Sequence, residues 1–240
     1  MKSYVIGDLH GCLAELTSLI ESLPLEHGDT VVFLGDYIDR GPDSRGVIDY
    51  LLALRERGEQ KTVFLRGNHE DMMLSFMGLS GHHGDAFLLN GGVATLASYG
   101  LAPPVGRPGP ADGERLLQAL PPNHIEFLVR LEPWYFMDGF LCVHAGINPA
   151  RSWDDQVSEE IIWIRHEFIS NPHALSRTVL FGHTPMKEVF FDLPYKIGLD
   201  TGLVYGNALS CLETTGRTLY QIRHGRREVS VTDVDRHWER

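Results

Sequence analysis

The chain has 240 residues, 43% hydrophobic and 22% charged, an ordinary globular composition that excludes a disordered, collagen-like or low-complexity protein. Its 21 Lys+Arg against 32 Asp+Glu give a formal charge of -11, which opposes counterion-release binding to nucleic acid and can instead serve to hold a cation. Three cysteines at unrelated spacings form neither a disulfide framework nor a CxxC zinc pair, and no apolar run is of membrane-spanning length, so a cytoplasmic protein with no membrane partner is expected.

Short apolar runs rich in β-branched residues predict buried strands over 3–6, 30–34 and 62–65. Between them, Leu13, Leu16, Ile20 and Leu23 repeat at helical spacing, as do Val47, Ile48, Leu51 and Leu52 ahead of a stop at Gly58. The N-terminal half therefore reads βαβαβ. Residues 80–130 break that pattern and read as a helical and loop insertion. Within it, 101–113 carries four prolines and three glycines and reads as a surface loop, either a connector or a lid. Two further buried strands are expected over 140–143 and 178–181. Beyond them, 188–191, 208–213 and 218–222 are separated by Pro, Gly and Asn and predict antiparallel strands, with 223–227 as a hairpin turn. A single α/β domain over 1–240, with a mixed sheet or two packed sheets, follows.

Chemistry sits at the ends of five of these strands: Gly7-Asp8-Leu9-His10-Gly11, Gly35-Asp36, Gly67-Asn68-His69-Glu70, His144-Ala145-Gly146 and Gly182-His183. A single Gly-Asp after a strand is ordinarily only a turn, and a lone histidine in an apolar run is ordinarily a core residue. Repetition at equivalent places changes that reading, because the C-terminal ends of strands in an open α/β sheet border the crevice where ligands bind. Asp8, His10, Asp36, Asn68, His144 and His183 then offer two carboxylates, one amide and three imidazoles. That donor set suits borderline or fairly hard divalent ions such as Mn, Fe or Zn. It exceeds what one open catalytic ion takes, but suffices for two if Asp36, central in the ligand order, bridges them.

The run Gly35-Asp36-Tyr37-Ile38-Asp39-Arg40-Gly41, with GDLHG before it and GNHE after it, resembles the phosphoprotein phosphatase family within the calcineurin-like metallophosphoesterases. Val143-His144-Ala145-Gly146 and Phe181-Gly182-His183-Thr184-Pro185 fit that family's two later histidine motifs, so the resemblance spans residues 1–184. It implies a calcineurin-like sandwich of two mixed β-sheets flanked by helices. By motif position it implies that Asp8 and His10 bind a first metal, that Asp36 bridges, and that Asn68, His144 and His183 bind a second. Mn is the expected ion, with Fe or Zn as alternatives. The same carry-over makes Arg40 a phosphate contact and His69 the general acid, with Asp39 orienting it. A second phosphate-clamping arginine is expected between the last two histidine motifs, and Arg165 is chosen over Arg151 and Arg177. Tyr205, in the Gly-rich stretch 200–207, could wall the pocket but reads rather as a buried core residue, and the pair His82-His83 as solvent-exposed.

The implied activity is metal-dependent phosphomonoester hydrolysis of the serine/threonine protein phosphatase type. A hydroxide bridging two divalent metals would attack phosphorus in a phosphorylated protein or a small phosphoester. A symmetrical dinucleoside tetraphosphate hydrolase of the same fold is the alternative. Such relatives usually lack the aspartate of the DRG motif and often read GNHD, where this chain has Asp39 and Glu70. A nuclease is disfavoured by the acidic balance. A non-catalytic metal-binding partner scaffold is disfavoured because such proteins lose ligands, and none of the expected ones is missing here.

Overall fold

The structure, a computed structural model, describes residues 1–239. Strands β1 (Ser3–Ile6), β2 (Thr30–Phe33) and β3 (Lys61–Phe64) pair in parallel, with Ile6 beside Phe33 and Phe33 beside Phe64. They are joined by α1 (Leu13–Ser22) and α2 (Ser44–Arg57), the latter ending at Gly58 in the left-handed conformation, φ 65°. Helices α3 (Asn68–Phe76), α4 (Gly92–Ser98), α5 (Pro110–Ala119) and α6 (Pro122–Val129) lead into the hairpin of β4 (Trp134–Met137) and β5 (Phe140–Val143). Short helices α7 (Ser158–Trp163) and α8 (His166–Ser170) precede β6 (Thr178–Phe181), β7 (Phe190–Asp192) and β8 (Lys196–Gly198). An antiparallel meander of β9 (Ala208–Glu213), β10 (Thr218–Arg223) and β11 (Val229–Asp233) follows.

These strands form two mixed sheets, ordered β11-β10-β9-β1-β2-β3 and β4-β5-β6-β8-β7. Alternation along each strand sorts its side chains into layers. Val5, Val32 and Leu34 of one sheet and Cys142, Leu180 and Ile197 of the other share the core between the sheets. Tyr4, Ile6, Val31 and Phe33 face the opposite way and pack with Leu16, Leu19, Val47 and Leu51 of α1 and α2. On the far side, Leu141, Val143, Val179 and Phe181 pack with Ile161 and Phe168 of α7 and α8. The architecture is the α/β sandwich of two mixed sheets flanked by helices that the resemblance implies.

The structure departs from expectation in places. Residues 101–113 are loop only as far as Gly109, and Pro110 opens α5. Proline is tolerated at a first helical position, and Asp112 accepts the Gly109 N–H at 3.0 Å to complete the cap. The strand expected over 188–191 begins only at Phe190, and β4, β8 and β11 were not anticipated. The basic turn at 223–227 does join β10 to β11, and its Gly225 N–H donates to the buried Glu15 carboxylate at 2.8 Å. Cys12, Cys142 and Cys211 are free and buried. Among the described residues no helix is long and apolar enough to cross a membrane.

Leu180 is fully buried between the sheets, so Leu180→Ala is expected to lower the unfolding free energy by about 2–5 kcal/mol. Leu89→Ala, at a position 89% exposed, should change it by less than about 0.5 kcal/mol. Urea denaturation followed by circular dichroism compares the two, and equally small effects would remove Leu180 from the core.

Candidate metal centre

Parallel pairing sets the C-terminal ends of β1, β2 and β3 side by side, and those of β5 and β6 likewise. The loops leaving these ends interlock. Leu9 and His10 N–H donate to the Asp36 carbonyl at 3.1 and 2.8 Å, and Gly182 N–H donates to the His144 carbonyl at 2.7 Å. Two bonds cross between the sheets: His183 N–H reaches the Asp8 carboxylate at 3.0 and 3.1 Å, and His144 Nδ1–H donates to the Leu34 carbonyl at 2.8 Å. Glycine makes this closeness possible. A Cβ on Gly67 would lie 2.2 Å from Asp36 Oδ1, and one on Gly182 would lie 2.1 Å from Asp8 Oδ1.

Asp8, His10, Asp36, Asn68, His144 and His183 all come together at this edge, and all are buried. Asp36 is central: its carboxylate lies 3.5 Å from His10 Nε2, 3.9 Å from His69 Nε2 and 3.4 Å from His144 Nε2. It belongs to two groups of convergent donor atoms, one with His10 and His69, the other with His144 and His183. Asn68 Oδ1 lies 3.0 Å from His144 Nε2 and 2.8 Å from His183 Nδ1.

The donor set fits divalent cations. A carbonyl can only accept, so His10 and His144 each donate Nδ1–H to one, Ile38 and Leu34 respectively, and turn an Nε2 lone pair inward. The His144 lone pair then faces Asn68 Oδ1 and Asp36 Oδ1, a meeting of acceptors that a cation satisfies and a hydrogen bond does not. His183 Nε2 is buried without a partner. Burial lowers the His10 pKa to about 3 and depresses those of His144 and His183, leaving neutral rings able to ligate. Burial opposes the Asp36 charge, but His144, His69, His10 and His183 outweigh it and hold its pKa well below the usual range. Asp8 is pushed the other way by burial, Asp200 and Asp36, a repulsion between carboxylates that a cation would relieve.

His69 Nδ1–H donates to Asp39 Oδ2 at 2.6 Å. Burial opposes a charge on His69, yet the Asp36 and Asp39 carboxylates prevail and raise its pKa. Arg40, half-buried, directs Nη1–H at that same His10 Nε2 lone pair, 2.5 Å away, which can serve Arg40 or a cation but not both, and its guanidinium lies 5.6 Å from the Tyr205 ring. Tyr205 is 62% exposed, not a core residue: Gly202 and Gly206, at φ 69° and 90°, swing its turn out of the body of the protein. Arg165 is exposed at the N-cap of α8, between helices and not within one, and its charge helps depress the His144 and His183 pKa values. His82 and His83 are exposed, as expected.

Two features of the site escaped the sequence. Glu70 Oε1 accepts N–H from Tyr37 and Ile38 at 2.8 and 3.3 Å, and Oε2 accepts from Asp36 and Gly67, both at 3.0 Å. Burial and Asp36 push its pKa up, but these donors leave neither oxygen free for a proton, and the carboxylate is the form the geometry fits. The available signal was its spacing, third in the helix after Gly67, where a glutamate closes a capping box. The second feature is backbone strain. His10, Asp36, Asp39, Arg40 and His183 adopt left-handed φ values of 43°, 51°, 73°, 66° and 65°, a region that non-glycine residues rarely occupy.

The family model for calcineurin-like phosphoesterases matches residues 1–202. The chain is 28% identical over 241 residues to the asymmetrical bis(5'-nucleosyl)-tetraphosphatase PrpE of Geobacillus thermodenitrificans, covering 87% of this chain and 88% of the relative. It is 29% identical over 223 residues to serine/threonine-protein phosphatase 1 of Salmonella typhimurium, covering 86% and 89%. At 14% identity it shares the fold of a cold-active protein-tyrosine phosphatase from a Shewanella species, with a TM-score of 0.57 over 96% of this chain and 80% of that one.

Replacing one Glu70 oxygen by NH₂ sets a donor against N–H donors, so Glu70→Gln is expected to cost about 1–3 kcal/mol of stability. Chemical denaturation checks this, and an unchanged midpoint would mean that these bonds do not hold the loops together.

Proposed function

Because the chain belongs to the calcineurin-like phosphoesterase family, we propose that it is a metal-dependent phosphomonoester hydrolase of the serine/threonine protein phosphatase type. The observation that carries this reading is the buried His69–Asp39 pair, joined at 2.6 Å beside Asp36. Asp8, His10 and Asp36 would hold one divalent cation, and Asp36, Asn68, His144 and His183 a second, Mn foremost with Fe or Zn as alternatives. When bound, such a pair supplies Lewis-acid polarisation of phosphoryl oxygens and water acidic enough to ionise near neutral pH.

The protein's own groups do the rest. Arg40 offers a planar pair of donors to the non-bridging phosphoryl oxygens, and the exposed Arg165 serves as a second clamp. Asp39 anchors Nδ1–H of His69, which leaves Nε2, on the Asp36 side, to deliver a proton to the leaving oxygen. A serine or threonine alkoxide is a poor leaving group and needs that proton. The leaving group of a phosphoanhydride is itself a phosphate, stable as an anion. A buried, anchored proton donor therefore supports ester over anhydride hydrolysis. Dinucleoside tetraphosphate hydrolysis is the second reading, favoured by the activity named for the Geobacillus relative.

A panel on the Mn-loaded protein separates the two: an aryl phosphate, phosphoserine, phosphothreonine and phosphotyrosine peptides, and diadenosine tetraphosphate. The phosphopeptides and aryl ester are expected to be hydrolysed after Mn loading and spared after exhaustive chelation. Preference for the dinucleotide by orders of magnitude would reverse the choice. Asp36→Asn should abolish turnover and lower bound metal, whereas His69→Asn should reduce kcat by about 10²–10⁴-fold with near-normal metal content. Full activity in either variant would remove that residue from its role.

A further inference from the structure

Asp39 is gripped by α4, an element that no motif includes. Thr95 of α4 donates its hydroxyl to Asp39 Oδ1 at 2.5 Å and accepts the Asp39 N–H at 3.0 Å. Ser44, opening α2, completes the set: its Oγ lies 2.9 Å from Thr95 Oγ1 and 3.0 Å from Asp39 N. Each hydroxyl has one proton and the Asp39 carboxylate has none, so Ser44 O–H goes to Thr95 and Thr95 O–H goes to Asp39. Asp39, Ser44 and Thr95 are fully buried, so no water competes. With Oδ1 taken, Oδ2 is the oxygen left for His69 Nδ1–H.

The same segment holds the neighbouring residue. Arg40 N–H donates to the Gly91 carbonyl at 3.2 Å, and a Cβ on Gly91 would stand 2.6 Å from Arg40 Cγ. Asp39 and Arg40 are both left-handed, and such residues persist only where their surroundings over-determine them. The Asp39 N–H, held by both Thr95 and Ser44, is part of that over-determination.

We propose that Thr95 is a positioning residue for phosphoester hydrolysis: its hydroxyl fixes the Asp39 carboxylate and, through it, the aim of His69 Nε2 at the leaving oxygen. This rests on His69 acting as the general acid, as given under Proposed function. A purely structural threonine would affect all esters alike. A positioning threonine affects those whose leaving group needs a proton.

The test uses the Mn-loaded protein with a phosphoserine peptide and with p-nitrophenyl phosphate, whose phenolate leaves without help. Thr95→Ala is expected to lose about 100-fold in kcat on the peptide. On the aryl ester it should stay within about threefold, and Thr95→Ser should restore the peptide rate. Thr95→Val keeps the shape without the hydroxyl and should match Thr95→Ala, so the comparison survives if one variant fails to fold. Independently of turnover, and in the diamagnetic Zn-loaded protein, the downfield proton resonance of His69 Nδ1–H should persist in Thr95→Ser and shift or vanish in Thr95→Ala. Equal losses on both esters, no loss on the peptide, or an unmoved resonance would overturn the proposal. His69→Asn tells the two failures apart: if it spares the peptide, the general-acid reading falls, and if it does not while Thr95→Ala does, only the role of Thr95 falls.

Discussion

Asp36 is the carboxylate common to both groups of convergent donors, and although the surrounding imidazoles favour its charge, keeping it buried near a second carboxylate is unfavourable on several counts. It is removed from water, it raises the pKa of its neighbour Asp8, and its own backbone is left-handed. Four other site residues share that backbone conformation, at a cost on the order of 1–3 kcal/mol apiece. What offsets this lies close by. Glu70 collects N–H groups from both the β2 and β3 loops, and Asp8 collects the His183 N–H across the sheets. The apolar layer between the sheets supplies the remainder, because the donors cannot separate without parting Val32 and Leu34 from Leu180 and Ile197.

The site divides into a rigid interior and an adjustable rim. The six predicted donors are buried and pinned by carbonyls, backbone N–H groups or one another, which suits groups that must meet a metal at fixed distances. Arg40, Arg165 and Tyr205 are half-buried or exposed, and under the proposed function their long or planar side chains would accommodate whatever the phosphate is attached to. Under the proposed function, chemistry at phosphorus and choice of substrate would thus fall to different residues. Within the rim, Arg40 is the link, since its backbone is held by the Gly91 carbonyl while its guanidinium reaches His10.

The strands that end in a donor were legible because each is a compact apolar run followed by glycine and a polar residue, a pattern carried in consecutive positions. The remaining strands were not. β4 is apolar but partly exposed throughout, β8 is buried but only three residues long and opens with a lysine, and β11 is largely solvent-facing, so none reads as an extended buried apolar run. Pro110 looked like loop because proline breaks a helix interior, although it is tolerated as a first residue. Thr95 lies 56 residues from the aspartate it holds, with nothing local to mark it. Tyr205 was expected in the core because a large aromatic ring favours burial, and only the dihedrals of the glycines on either side reveal the outward turn.

The hydrogen bond from His183 N–H to the Asp8 carboxylate joins positions 175 apart in the chain. At ribosomal elongation rates, Asp8 emerges roughly ten to thirty-five seconds before the residue that will receive its lone pairs. Through that interval β1 also lacks β9, its antiparallel partner, so the nascent polypeptide carries part of the candidate site beside an unpaired sheet edge. The candidate site can therefore close only once residues from Asp8 through His183 are present, and its supporting sheet only once β9 has paired with β1.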